Sequence, residues 1–269
     1  MRSQEPSLSD CMQDRNFDDL AVQFSNRIYS GTKGRIRLAL LERDLDECLG
    51  DAFVAGSTPL RVLDAGGGEG QFARSLARRG HKLTLCDHSQ VMIENARQAA
   101  ERDNLAGDFH FLPCSIQSLP DPDPLFDLVL CHAVLEWVSD WQGVVTKLIT
   151  QMAPGAVLSL MFYNQHSTVF RSLVRGYFDR IKQDKLAGSG QGLTPLYPLL
   201  PEQVLAFMAD QGMEVLCQSG IRVFHDYMHK DIRERRSEQD IIALEKQFSR
   251  VEPYRSLGRY YHILARTTS

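Results

Sequence analysis

The sequence predicts a doubly wound α/β fold. Three observations carry that prediction: from Leu60 onward short apolar strand-like runs alternate with helical stretches, a glycine cluster follows the first strand, and an acidic residue closes the second. Strands alternating with helices go into a parallel sheet covered on both faces. Right-handed crossovers cover both faces only if the chain starts mid-sheet and reverses direction. That reversal opens a ligand crevice at the carboxyl ends of the strands.

Taken in order, residues 1–16 are polar, lack periodicity and read as a flexible tail. Phe17, Leu20, Ala21, Phe24 and Ile28 recur at helical spacing, and a second helix is expected over 35–49, after the Gly31/Gly34 break. Residues 17–59 thus supply N-terminal helices. Strands are expected at 60–64, 82–86, 109–113, 126–131 and 156–163, and helices at 70–79, 89–102 and 141–152. The core segment is 60–164. A helical insertion follows the fifth strand, with an amphipathic helix over 167–183: Phe170, Leu173, Val174, Tyr177, Phe178 and Ile181 form its apolar side, and Arg171, Arg175 and Lys182 the other. The Gly- and Pro-rich stretch 186–201 then reads as a surface loop or lid, so 165–200 is the insertion. A helix at 201–211, a strand at 213–224, a charged helix at 230–250 and a last strand at 259–266 make 201–269 a substrate-side part. Residues 17–269 together read as one domain.

Composition narrows the function classes. No apolar run approaches the roughly 18 residues of a membrane span, and the N-terminus has neither a secretory nor an Arg-rich transit pattern, so a cytoplasmic location without membrane contact is expected. The six cysteines are scattered with no C-x-x-C pair, which favours reduced structural thiols over a metal site. A net charge of -4 excludes a protein that coats nucleic acid through a global positive field. Charge is nevertheless uneven: 165–186 and 219–269 each carry a net +3, and the remaining chain carries -10. A local basic path for an RNA stem is compatible with that distribution.

The central motif is Asp64-Ala65-Gly66-Gly67-Gly68-Glu69-Gly70, between a strand and a helix. Glycines admit a ligand close to the backbone, and the helix start presents free N–H groups. A dinucleotide fingerprint counted from Gly66 needs glycine at position 71, which is Gln71. The spacing therefore favours S-adenosylmethionine over NAD. Asp87, at the end of KLTLCD, can accept hydrogen bonds from both hydroxyls of an adenosine ribose. Ile116, after the third strand, is placed to support an adenine ring. His132 ends the fourth strand at the expected mouth of the crevice.

The glycine motif, Asp87, FDLVLCHAVLEWV and MAPGAVLSLMFYN together resemble the class I S-adenosylmethionine-dependent methyltransferases, whose sheet is Rossmann-like; this resemblance covers 60–164. More closely, NFDDLAVQFSNRIYSGTKGRIR, MFYNQH, VFHDY and EPYRSLGRYYHILAR resemble the bacterial tRNA carboxymethoxyuridine methyltransferases, from Met12 to Arg266. That resemblance implies methylation of the carboxylate of 5-carboxymethoxyuridine at the wobble position of tRNA. It also implies cofactor contacts at Arg37, Gly66, Gly67, Asp87, Ile116 and His132, to which the motif adds Asp64 and Gly68. Arg37 suits the methionine carboxylate of the cofactor, because a guanidinium can form a bidentate pair with it.

A carboxylate acceptor is already ionised near neutrality, so no acid or base is expected among the catalytic residues. What is needed is donors that orient it. Tyr163 and Asn164 at the fifth strand tip, and Arg222, His225 and Tyr227 in IRVFHDY, are the candidates. Two alternatives stay open: a methyltransferase acting on a small molecule, since the core does not identify the acceptor, and a cofactor-binding scaffold without turnover.

Overall fold

A computed structural model describes residues 31–53, 56–188 and 195–268. The expected tail and the helix over 17–28 lie outside the described residues. Helix α1 (Thr32–Leu49) begins after Gly31 and buries Ile36, Leu40, Leu41 and Leu45, the i, i+4, i+5, i+9 pattern of a single packed stripe. Then follow β1 (Arg61–Ala65), α2 (Gln71–Ala77), β2 (Lys82–Cys86), α3 (Gln90–Arg102), β3 (Phe109–Leu112), β4 (Phe126–His132), α4 (Trp141–Thr150) and β5 (Met152–Tyr163). The chain continues through α5 (Gln165–Val174), α6 (Phe178–Lys182), α7 (Pro201–Asp210), β6 (Met213–Ile221), α8 (Lys230–Glu234), α9 (Glu238–Phe248) and β7 (Tyr260–Thr267).

The seven strands form one sheet in the order β3-β2-β1-β4-β5-β7-β6. As expected, the chain starts in the middle at β1 and reverses direction at β4. Side chains alternate across the sheet. Leu63, Ala65, Val129 and Cys131 pack with Val144 and Leu148 of α4 and Met208 of α7, whereas Val62, Leu83, Leu128 and Leu130 pack with α1, α2 and α3 on the other face.

The expected parallel arrangement holds for β1 to β5, and the sheet as a whole is mixed, because β7 runs antiparallel to both β5 and β6. The reason lies in the connection: Ile221 pairs with Tyr260, so residues 222–259 leave and re-enter the sheet at the same end instead of crossing a face. The two ends of that segment lie at the rim of the crevice, whereas α9 packs back along α1, with Ile241 in the core and Arg43 donating to the Lys246 carbonyl. Two expected helices are corrected: the one over 167–183 breaks at Gly176 (φ 73°) into α5 and α6 and turns small hydroxyls inward rather than its apolar side, with Arg175 and Lys182 left exposed. Ser167, Thr168 and Ser172 are buried, while Phe170, Leu173, Val174, Tyr177 and Phe178 are exposed. The small hydroxyls are satisfied: Ser172 donates to the Thr168 carbonyl one turn back at 2.8 Å, and Ser167 pairs with the Tyr227 hydroxyl of the rim at 2.9 Å. The expected helix over 230–250 is likewise two helices, α9 beginning at Ser237, whose hydroxyl accepts from the Asp240 N–H.

Candidate active site

The crevice is built on the turn from β1 to α2. Gly66 and Gly68 both sit in the left-handed region (φ 71° and 55°), and a Cβ at Gly66 would collide with the Val134 side chain. A Cβ on Gly67 would stand 2.6 Å from an Asp64 oxygen. No other residue lets the loop lie this close to the β4 end. The Gly68 N–H donates to one oxygen of Asp87 at 3.0 Å, and the Ser89 N–H donates to the other at 2.9 Å. Two backbone amides thus fix the plane of the Asp87 carboxylate at the tip of β2. Below it, burial and then the neighbouring Asp87 charge push the Asp64 carboxyl up to about 7.

His132 closes β4, 5.5 Å from Phe72 between ring centroids. Burial, then His262 and Arg37, hold its imidazole well below its ordinary value, so it is neutral. Its Nε2 is 2.8 Å from the Ser159 hydroxyl, which is 2.9 Å from His262 Nε2. His262 Nδ1 in turn lies 2.7 Å from Asp44. Asp44 also receives Arg43 and Arg250. Because a carboxylate only accepts, His262 carries its proton on Nδ1 when neutral. Ser159 then donates to His262 and accepts from His132 Nε2, which leaves His132 Nδ1 as an acceptor. Arg37, 5% exposed, lies over the Tyr260 ring at 4.8 Å.

Ile116 sits in a short turn after β3 and is buried against the core. Among the acceptor candidates, Asn164 caps α5: its amide donates to the Ser256 and Gly258 carbonyls, and its oxygen accepts from the His166 N–H. The Tyr227 hydroxyl donates to the Leu257 carbonyl at 2.8 Å, and His225 is buried against Asp226. These three groups hold the rim together. Tyr163 and Arg222 stand differently, with Arg259 over the Tyr163 ring at 4.6 Å and Arg222 over Tyr260 at 5.2 Å. The sequence reading missed Glu136, which is 1% exposed and has one buried oxygen without a hydrogen-bond partner. Burial pushes its carboxyl up to about 7. It also missed Ser159, His262 and Asp44; for Ser159 and His262 the available signal was a polar residue inside an apolar run, LSLMF and YYHILA, and Asp44, in LERDLDE, had none.

With the geometry in view, the comparisons are decisive. Residues 63–160 match the methyltransferase domain model. A tRNA 5-carboxymethoxyuridine methyltransferase of Escherichia coli is 44% identical over 256 residues, covering 95% of this chain and 97% of the relative. The chain belongs to the tRNA 5-carboxymethoxyuridine methyltransferase family. More distant relatives match a smaller share: the malonyl-[acyl-carrier protein] O-methyltransferase of Serratia marcescens is 32% identical over 121 residues, covering 45% of this chain and 44% of the relative. The fold is also that of a magnesium protoporphyrin IX methyltransferase from Synechocystis solved with bound SAH, at TM-score 0.62 and 15% identity over 94% of this chain and 96% of the other. No described helix is long and apolar enough to cross a membrane, and the described residues contain no cluster arranged to hold a metal ion.

Proposed function

We propose that this protein transfers a methyl group from S-adenosylmethionine to the carboxylate of 5-carboxymethoxyuridine at the wobble position of tRNA, giving the methyl ester. One observation carries the reading: Arg37 on the cofactor side and Arg222 on the acceptor side stack on the same ring, Tyr260, so a donor site and a cationic rim meet at one residue. The family relationship supplies which anion the rim serves.

S-adenosylmethionine, when bound, supplies an electrophilic sulfonium methyl group. Gly66, Gly67 and Gly68 would lie along it, Asp87 would take the ribose hydroxyls, Ile116 would support the adenine, and Arg37, His132 and Asp64 would face the methionine end. An acceptor oxygen forms the new O–CH3 bond as the S–CH3 bond breaks, and the electron pair leaves on sulfur as a neutral thioether. No proton is released. The chain's task is to hold the partners in line, which by itself supplies a large share of such rate enhancements. In this reading the core 60–164 serves the donor and the segments 165–200 and 201–269 serve the tRNA, consistent with a cytoplasmic enzyme.

The test is tritiated-methyl transfer to bulk tRNA from a strain that makes the carboxymethoxy group but not its ester. Label in tRNA, absent with tRNA lacking the carboxymethoxy group, is the expected result. Label only in small molecules would support the small-molecule alternative, and no label with intact cofactor binding the scaffold.

A further inference from the structure

The rim holds more buried positive charge than its own carboxylate balances. Arg222 and Arg259 are neighbours by register: Ile221 pairs with Tyr260, so each arginine is the first residue beyond the β6–β7 ladder, and the Arg259 N–H donates to the Arg222 carbonyl at 3.3 Å. Both guanidinium groups reach the same oxygen of Asp226, at 3.5 and 3.7 Å, and Lys33 lies 3.9 Å from the other oxygen. Burial alone would raise the Asp226 carboxyl, yet Arg222, His225, Lys33 and Arg259 more than offset it and hold Asp226 well below the usual carboxylate range.

A fourth cation crowds in from α5. Arg171 is lowered by burial and then by Arg259 and Arg175, and Lys33 is lowered by burial and, against the pull of Asp226, by Arg222, Arg233 and Arg259. Arg222 is 7% exposed, and its Nε, like that of Arg171, is buried without a hydrogen-bond partner. Arg222 also adopts φ 61°, a conformation that a residue with a side chain occupies only at a cost. Among the described residues three of these cations lie within 4 Å of one carboxylate and Arg171 adds its charge beside Arg259, and buried guanidinium groups call for paired anions.

We infer that Arg222 and Arg259, backed by Arg171, form an anion socket that takes the acceptor carboxylate, with Asp226 as the internal counter-charge that holds the two guanidinium groups in place. This rests on the acceptor assignment proposed above. The planar fork of an arginine matches a carboxylate bidentately, which fixes the carboxylate plane and leaves the second lone pair of one oxygen toward the donor methyl. Tyr163, beneath Arg259, floors the socket. An RNA backbone phosphate would satisfy the same cations, so the test must separate the two anions.

Two anticodon stem-loops of identical sequence do so, one bearing carboxymethoxyuridine and one its neutral methyl ester at the wobble position. Both carry the same phosphates. Binding is measured by fluorescence anisotropy with S-adenosylhomocysteine present. The wild-type protein should prefer the carboxylate RNA by about tenfold or more, the size of a charge-assisted bidentate contact. Arg259→Gln and Arg222→Gln should lose most of that preference while ester-RNA and S-adenosylhomocysteine affinities stay within about twofold, and Arg259→Lys should keep part of it. Arg171→Gln, at a partly exposed position, should weaken the preference in the same direction and serves if the deeper variants unfold. An unchanged preference in these variants overturns the socket, as does parallel loss of both RNAs, which would assign the arginines to phosphate. Failure of the wild type to methylate the carboxylate RNA overturns the acceptor assignment itself.

Discussion

Asp87→Asn is the sharpest perturbation of the donor half. In the wild type the two Asp87 oxygens accept from the Gly68 and Ser89 N–H groups at 3.0 and 2.9 Å, which sets the carboxylate plane against the crevice. Asparagine keeps one acceptor and turns an NH2 group against one of those N–H donors. A hydrogen bond to a charged group contributes about 1.5–3 kcal/mol, so losing the charge and one acceptor should cost about 2–3 kcal/mol of cofactor affinity. That is roughly a 30- to 150-fold rise in Kd. Isothermal calorimetry with S-adenosylhomocysteine measures it, and unchanged circular dichroism checks the fold. A second readout comes from Asp64, whose carboxyl stands at about 7 partly because Asp87 is charged. In the variant its pKa should fall, seen by carbon-13 NMR of labelled carboxyl groups. Wild-type affinity with an unmoved Asp64 would refute both the ribose assignment and the coupling.

Ser159→Ala cuts the hydroxyl link between His132 and His262, so the KM for S-adenosylmethionine should rise several-fold with kcat little changed, and nitrogen-15 imidazole spectra should show mixed tautomers at His132; a single unchanged tautomer would contradict the relay. Glu136 is held at about 7 in the fold against an ordinary 4.5, so the folded state binds the extra proton and its stability falls as pH rises from about 4.5 to 7, by up to about 3 kcal/mol. Glu136→Gln should flatten that decline in urea unfolding at pH 5 and pH 8, and an equally steep decline in the variant would count against it. If phosphates supply much of the RNA affinity, tRNA binding should weaken steeply between 50 and 200 mM salt while cofactor binding barely moves. Arg175→Glu, on the exposed side of α5, should lower tRNA affinity alone; a flat salt dependence would favour a small acceptor.

The core was legible because its signals are local. Strand runs ending in Asp64-to-Gly70, Asp87 and His132 mark positions where chain direction, glycine φ and burial agree, and the structure puts them at one end of the sheet. The mixed direction of β7 was not legible, since nothing in residues 222–259 says whether that segment crosses a face or stays at one edge. The same blindness hid Arg259: its partner Arg222 is remote in sequence and is brought beside it only by the Ile221–Tyr260 register. Residues 167–183 misled for another reason. Their apolar spacing is helical, but Ser167, Thr168 and Ser172 pack inward, because Thr168 and Ser172 bond to carbonyls one turn back and Ser167 meets the Tyr227 hydroxyl, which lets α5 approach the rim. His262 and Asp44 are 218 positions apart, and no spacing argument joins them.

The central claim is that the acceptor is a carboxylate, and the chemistry of the product tests it most directly. Nucleosides from tRNA labelled by the protein should gain one methyl group, and brief mild alkali should release that methyl as methanol and restore the acid, because an ester hydrolyses under conditions that leave N-, C- and ether-linked methyl groups intact. The transfer step itself should be nearly level from about pH 6 to 8.5 in single turnover, since the nucleophile is ionised throughout. A methyl group that survives the alkali would contradict ester formation, and with it the account of the rim as a carboxylate site.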